Sequence, residues 1–248
     1  MEKQQTVELH APKAWLAGLS VRDFRNYDEC RIDISASNIL LLGENGAGKT
    51  NLMEAISLLA PGRGLRRARA EHLQREGSGG EQWAVSAALE TADGAVKIGT
   101  GVPAGTETGR RVMRLDGETV AQAEIGRLFS VSWLTPRMDG IFVESPGARR
   151  RFLDRLVIAF DPAHIGRTNR YDKLLRERAT LLAEGRVDEA WFTAIEASLA
   201  ESAVAVTAAR QALIADLNAE AGDGWFGFPG AQLALDGTVE TWLAEGSA

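Results

Sequence analysis

Between Ile39 and Ile56 the chain reads ILLLGENGAGKTNLMEAI, and this stretch limits the fold more than any other feature. The apolar run Asn38–Leu42 has no polar alternation, which predicts a strand covered on both faces. It breaks into a glycine-rich loop. Beyond the loop, Leu52, Met53, Ile56 and Leu59 recur at helical spacing until Pro61-Gly62 stops the segment. A buried strand, a tight loop and an amphipathic helix in direct succession predict an α/β core.

The loop has a chemistry of its own. Gly43 to Thr50, GENGAGKT, fits the pattern G-x-x-x-x-G-K-[ST]. Gly43 and Gly48 permit backbone geometry and a close approach that a Cβ would block. The amides of Gly43, Glu44, Asn45, Gly46, Ala47 and Gly48, with the start of the following helix, can aim N–H groups at phosphate oxygens. Lys49 would neutralise the β- and γ-phosphates as the catalytic cation, and the Thr50 hydroxyl would coordinate Mg²⁺. The plain alternative is a turn that happens to contain a lysine. A strand running straight in and a helix running straight out are the context that separates the two, so the segment reads as a nucleotide site.

The rest of the chain divides by character. AWLAGLSVRDF and DECRIDIS flank RNY, and in the second Cys30, Ile32 and Ile34 alternate with Glu29, Arg31 and Asp33, as in a half-buried strand. Trp83, Val85, Ala87 and Leu89 alternate likewise, with turns expected at Asp93-Gly94 and Asp116-Gly117. GVPAGTETG reads as loop, and VSWL, Val131–Leu134, as a further strand. After Pro146 the pattern is helical: Phe152, Leu153, Leu156, Val157 and Phe160 share a side. Tyr171, Leu174, Arg178 and Leu181 form one row, with Leu175 and Leu182 on another. From Val187 to Glu220 no Gly or Pro intervenes, which predicts one helix about 50 Å long at 1.5 Å per residue. The expected division is 1–146 for the head, 147–221 for a helical arm and 222–248 for a turn-rich tail.

Net charge is −6, which alone would argue against a polyanionic partner. The average hides a segregation. Ser145–Arg178 holds nine Lys/Arg against four Asp/Glu, whereas Ala179 onward holds two against eleven. A basic face on an acidic chain is therefore compatible with nucleic acid. A single cysteine, Cys30, excludes an internal disulfide. The N-terminus lacks an apolar signal core and no apolar run approaches spanning length, so a cytoplasmic chain without a membrane is expected.

GENGAGKTNLMEAISLLAPGRGLRRA resembles the opening of the RecF family of bacterial DNA repair proteins. LSVRDFRNYDE is similar to that family's first strand and turn. WLTPRMDGIFVESPGARRRFLDRLV and FDPAHIGRTNRYDKLLRERATLL are similar to its run into the arm helices, so the likeness covers Leu19 to Leu182. The resemblance implies an α/β fold: a P-loop ABC-type ATPase head related to the SMC class, with a mixed sheet, an antiparallel β layer and a helical lever arm. It implies ATP and Mg²⁺ as cofactors, an ATP-dependent homodimer, and DNA, single-stranded and gapped or junction duplex, as partner. It implies action at gaps with RecO and RecR to promote RecA loading, and support of replication and the SOS response.

The chain also departs from that pattern. The family's signature motif, Walker B carboxylates and D-loop do not stand in this sequence, and LALDG, Leu233–Gly237, is too short and polar to replace them. A C-terminally shortened chain is expected, binding nucleotide weakly and barely hydrolysing it. Missing partner strands would leave exposed edges, so poor solubility is expected.

Other candidates carry two readings each. Arg25 and Asn26 are either nucleotide-proximal, by analogy with related heads, or polar residues of a strand-to-strand turn. Arg63, Arg66, Arg67 and Arg69 are either phosphate contacts for DNA or a solvated turn. Arg149, Arg150, Arg151 and Arg155 cannot share one helical face, so some reach acids or the head and others DNA. Thr135-Pro136-Arg137 stands where related heads carry a Q-loop, without the glutamine. His10, His72 and His164 lack metal-ligand spacing and read as surface or capping groups. Trp191, Trp225 and Phe226 read as packing residues. Two other classes remain open, a P-loop small-molecule kinase and an SMC-like structural ATPase head. The first would need a lid and an acceptor pocket, and the second a longer heptad coil.

Overall fold

The computed structural model describes residues 14–35, 38–79, 82–103, 110–185, 189–222, 224 and 227–246. His10, Trp225 and Phe226 lie outside them. The chain forms two compact units divided between Trp133 and Leu134. The boundary expected at residue 146 falls later, where Pro146 opens a helix behind its Ser145 cap.

In the first unit, β1 (Ala14–Phe24), β2 (Tyr27–Asp33), β3 (Trp83–Thr91), β4 (Gly94–Val102), β5 (Val112–Leu115) and β6 (Glu118–Val120) form a six-stranded sheet. The order is β2-β1-β3-β4-β5-β6, antiparallel throughout. This is the antiparallel layer expected from the alternating residues: Trp83, Val85, Ala87 and Leu89 of β3 all face inward and are buried. The helix α1 (Lys49–Leu59) covers β3 and β4. Its Leu52, Ala55, Leu58 and Leu59 are buried in one cluster with Leu19, Val21 and Phe24 of β1. Each such leucine stabilises the unit by about 1.5–3 kcal/mol relative to exposure. Phe24 meets Trp83 with ring centroids 5.6 Å apart, tilted by 57°. A short helix, α2 (Gln122–Leu128), buries Ile125. Gln122 also accepts the Gly62 amide at 2.9 Å, fixing the exit of α1.

Three local expectations change. The expected turn at Asp93-Gly94 moves back one residue: Thr91 pairs with Gly94, so Ala92-Asp93 is the loop and the Thr91 hydroxyl donates to Gly94 O at 2.8 Å. The turn at Asp116-Gly117 stands, with both residues at positive φ, 49° and 93°. The second change is Val131–Leu134, which is irregular rather than a strand.

The third change bears on the site. Asn38–Leu42 runs toward the glycine loop as expected but pairs with no strand among the described residues. Leu41 packs against the core, whereas Ile39, Leu40 and Leu42 are 54%, 79% and 81% exposed. A continuous apolar run signals two covered faces only where neighbouring strands are present, and here none flanks it.

The second unit holds α3 (Pro146–Phe160), α4 (His164–Ala183), α5 (Glu189–Ala221) and α6 (Thr238–Ala244). Of the unbroken helix expected over Val187–Glu220, Val187 and Asp188 lie outside the described residues and the rest falls in α5, 33 residues long. Leu233–Gly237 forms no strand. Val157, Leu181, Ile195, Val206 and Leu213 are buried where α3, α4 and α5 pack. The second apolar row of α4 is not: Leu175 and Leu182 are exposed, as is Trp191 on α5, contrary to its expected place in packing. By length and composition α5 could cross a membrane, with a mean hydropathy of 1.2 over its best window, an exception to the expected absence of such a run. Two of its charges meet neighbouring helices of the unit. Glu196 pairs with Arg178 at 2.9 Å, and Arg210 grips Asp154 of α3 through both carboxylate oxygens at 2.8 and 2.9 Å.

His164 corrects the surface reading. It opens α4 fully buried, with Nε2 2.9 Å from Asp154 Oδ1. Burial alone would raise the Asp154 carboxyl, but the hydrogen bonds from His164 and Arg210 together outweigh it and hold the group below its ordinary value. No three metal-ligating side chains meet among the described residues.

Candidate nucleotide site

The loop owes its shape to its glycines. Gly43, Gly46 and Gly48 all take positive φ, 151°, 89° and 99°. Gly48 caps α1 from the left-handed region with no side-chain cap, leaving the first turn of the helix open. A Cβ on Gly48 would lie 2.5 Å from Tyr27 Oη and 2.7 Å from Asn26 Nδ2. Glycine is required there on both counts.

The backbone then presents donors. Ala47 N–H closes onto Glu44 O at 3.2 Å, and the Asn51 and Leu52 amides return to Gly48 O at 2.8 and 3.1 Å. The N–H groups of Asn45, Gly46, Gly48, Lys49 and Thr50 donate to no described residue. They gather at the positive end of an eleven-residue helix, the arrangement that binds anions. Lys49 Nζ donates to Gly43 O and Glu44 O, each at 2.7 Å, so the ammonium is strapped across the loop mouth. Thr50 is exposed beside it. This donor set fits a triphosphate: the loop amides and Lys49 would hold its phosphate oxygens, and the Thr50 hydroxyl would be the ligand for an accompanying Mg²⁺. When bound, ATP would supply a transferable γ-phosphoryl group.

The β1–β2 turn backs the loop. Tyr27 Oη reaches Ala47 O at 3.5 Å, and burial, with Cys30 nearby, raises the phenol above its ordinary value. Asn26 Oδ1 accepts from Asn51 Nδ2 at 2.7 Å, which sets Asn26 beside the first turn of α1. Arg25 points elsewhere. Its Nε and an Nη donate to both oxygens of Glu54 at 2.9 and 2.8 Å, and its other Nη to His72 O.

The candidate DNA arginines are scattered in their roles. Arg66 also bonds Glu54 at 2.9 Å and Asn51 Oδ1 at 2.7 Å, so its charge is engaged beside α1. Arg69 lies 3.5 Å from Glu71, an exposed pair worth little, and Arg63 and Arg67 are exposed. Arg149 caps the carbonyls of Phe142 and Glu144 at 3.4 and 2.6 Å, while Arg150 and Arg151 are exposed on α3. Arg155 lies 5.0 Å over the Phe152 ring, and burial lowers its pKa. Pro136 opens a 3-10 turn, Pro136–Gly140.

Sequence reasoning missed Glu54, Asn51 and Tyr27. Glu54 did carry a signal: a lone carboxylate inside NLMEAISLL, on a helix otherwise apolar where it meets the sheet.

An antiparallel layer under a glycine loop and its helix defines the class: a P-loop ATPase head. Residues 19–121 match the AAA domain family. The RecF protein of Mesorhizobium japonicum is 44% identical over 240 residues, and that of Caulobacter vibrioides 43% over 244. Both alignments cover 94% of this chain, but 62% and 63% of those proteins, so the chain spans about three-fifths of the length of the curated relatives it matches. Two solved structures of the recombination mediator RecF in the RecFOR pathway, as RecF-ATPrS and RecF-ATP, superpose with TM-scores of 0.76 and 0.75. They are 26% and 25% identical and cover 85% and 88% of this chain, and 57% and 58% of their own chains. Over nearly its whole length the chain is thus similar to RecF, which those relatives' names describe as a DNA replication and repair protein.

Proposed function

We propose that this chain is the nucleotide-binding and DNA-engaging part of a RecF protein: an ATP-dependent DNA-binding factor of recombinational repair, replication and the SOS response. It acts at single-strand gaps in the cytoplasm with RecO and RecR, promotes RecA loading, and dimerises on ATP in the complete protein. The observation that carries this reading is the donor cluster. The N–H groups of Asn45, Gly46, Gly48, Lys49 and Thr50 donate to no described residue, at a helix N-terminus, beside a strapped ammonium. ATP held there favours the closed arrangement of two heads, and loss of the γ-phosphate removes that preference. Hydrolysis by this chain is slow on this reading, because no described carboxylate bonds Lys49 or Thr50. DNA contact falls to exposed cations such as Arg63, Arg150 and Arg151, through phosphates and with strong salt dependence.

Titration calorimetry with MgATP and filter binding of gapped DNA test the two halves. Lys49→Ala should weaken MgATP binding at least about tenfold, the loss of one charge-assisted contact. Unaltered retention of gapped DNA on adding ATP to a full-length RecF relative would falsify the switch.

A further inference from the structure

Glu54 is the most buried charge among the described residues of the first unit, 1% exposed, and neither the phosphate chemistry nor the DNA reading uses it. A carboxylate at that depth without partners would cost several kcal/mol, so whatever pairs with it is held firmly. Two arginines from different segments do so. Arg25 comes from the β1–β2 turn and binds bidentately; Arg66 comes from the loop after α1.

Both arms lead back to the glycine loop. The same Arg66 nitrogen that meets Glu54 also donates to Asn51 Oδ1 at 2.7 Å. Asn51 passes the bond on, its Nδ2 donating to Asn26 Oδ1 at 2.7 Å. Asn26 in turn abuts Gly48, where its Nδ2 would lie 2.7 Å from a Cβ. The other arm starts at the residue before Asn26: Arg25 is the left-handed residue of the turn, φ 55°, and its guanidinium is fixed by Glu54. A closed ring of hydrogen bonds thus runs Glu54–Arg66–Asn51–Asn26–Arg25–Glu54, the last link but one being the backbone of the turn. One oxygen pair on α1 sets the angle between that turn and the first helical turn.

We infer that Glu54 is a positioning residue of the nucleotide site. Through Arg25 and through Arg66–Asn51 it locks the β1–β2 turn against the start of α1, holding the loop in the shape that presents its N–H groups. The inference rests on the reading of that loop as an ATP site, and it names what keeps the site preorganised. The mechanism is a reduction of the ordering cost at binding, since the loop need not be shaped by the ligand. Electrostatically, Glu54 is neutralised by its own arginines and adds no net repulsion toward phosphate.

The test uses the 248-residue chain, MgATP calorimetry and amide hydrogen exchange. Glu54→Gln should weaken MgATP binding about tenfold and speed exchange of the Asn51 and Leu52 amides, while β3 and β4 amides keep their protection. Arg66→Met cuts only the Asn51 arm and leaves Arg25 on the carboxylate. It should weaken MgATP about fivefold with little change in melting temperature, which keeps the idea testable should Glu54→Gln fail to fold. Asn51→Ala combined with Arg66→Met should be no weaker than the worse single variant, because both break one chain. Multiplying effects, or unchanged affinity and exchange in folded Arg66→Met, overturn the proposal. If the unsubstituted chain and Lys49→Ala both fail to bind MgATP, the ATP reading itself falls. The exchange data then still decide whether Glu54 shapes the loop.

Discussion

Gly48 and Gly46 occupy the same loop, yet they answer to different constraints. Gly46 has φ 89° with nothing within 4 Å of an added Cβ, so Gly46→Ala costs backbone strain alone, about 1 kcal/mol. Gly48→Ala adds a collision with the Tyr27 ring and Asn26 to a φ of 99°, and should cost about 2–3 kcal/mol. Urea midpoints of the two variants should differ in that order, and equal midpoints would show that the turn yields freely. The glycines themselves were legible in the sequence, because the pattern of a phosphate loop specifies them. That Gly48 answers to Tyr27 and Asn26 was not legible, since it depends on how β1 and β2 bring their turn to the loop. Arg25 shows the same limit: its type and place suited a nucleotide contact, and only the fold shows a buried carboxylate claiming it.

Among elements, the strands of the first unit were readable because period-two alternation reports one buried face, as in β3. For Asn38–Leu42, apolar continuity reports the run toward the loop but not its surroundings, which hold no described strand. Helices fared differently. Length and the lack of Gly or Pro placed α5, but an apolar row on α4 did not reveal which leucines would be covered. Where α3, α4 and α5 pack, a polar cluster of Asp154, His164 and Arg210 stands beside the buried apolar residues. Asp154→Asn leaves Arg210, 13% exposed, without its counter-charge and should destabilise the helical unit by about 2–3 kcal/mol. The pH dependence follows from the lowered pKa of Asp154. Its contribution is whole above the ordinary carboxylate range, near pH 4, and is lost as pH falls through the depressed folded value. Thermal melts followed by circular dichroism from pH 6 to 2.5 should show that acid-limb loss in the unsubstituted chain. It should be reduced in Asp154→Asn, with the remainder coming partly from Asp161, which Arg167 holds low in the same sense.

For the whole molecule, the exposed leucines ahead of the loop are a colloidal liability. Leu40 and Leu42 stand 79% and 81% exposed on an extended segment whose backbone pairs with no described strand, a template for edge-to-edge association. Leu40→Lys should lower light scattering at raised concentration and leave the melting temperature within about 1 °C, since an exposed leucine contributes little to the folded core. If aggregation persists unchanged, some other surface drives it. The basic and acidic segments, by contrast, were visible at once in the charge count, yet their use was not. Arg66, Arg149 and Arg155 are each taken up locally, leaving a smaller set of cations for a polyanion than the raw composition promised.

Lys49 has already surrendered its rotamers. Lodged between the carbonyl oxygens of Gly43 and Glu44, the side chain has no wandering left to forgo when an anion arrives. A newcomer must only outbid two neutral oxygens for one proton-rich nitrogen. Arginine, broader and flat, could not nest between those oxygens in the same way, so a like-charged replacement would keep the cation and lose its address.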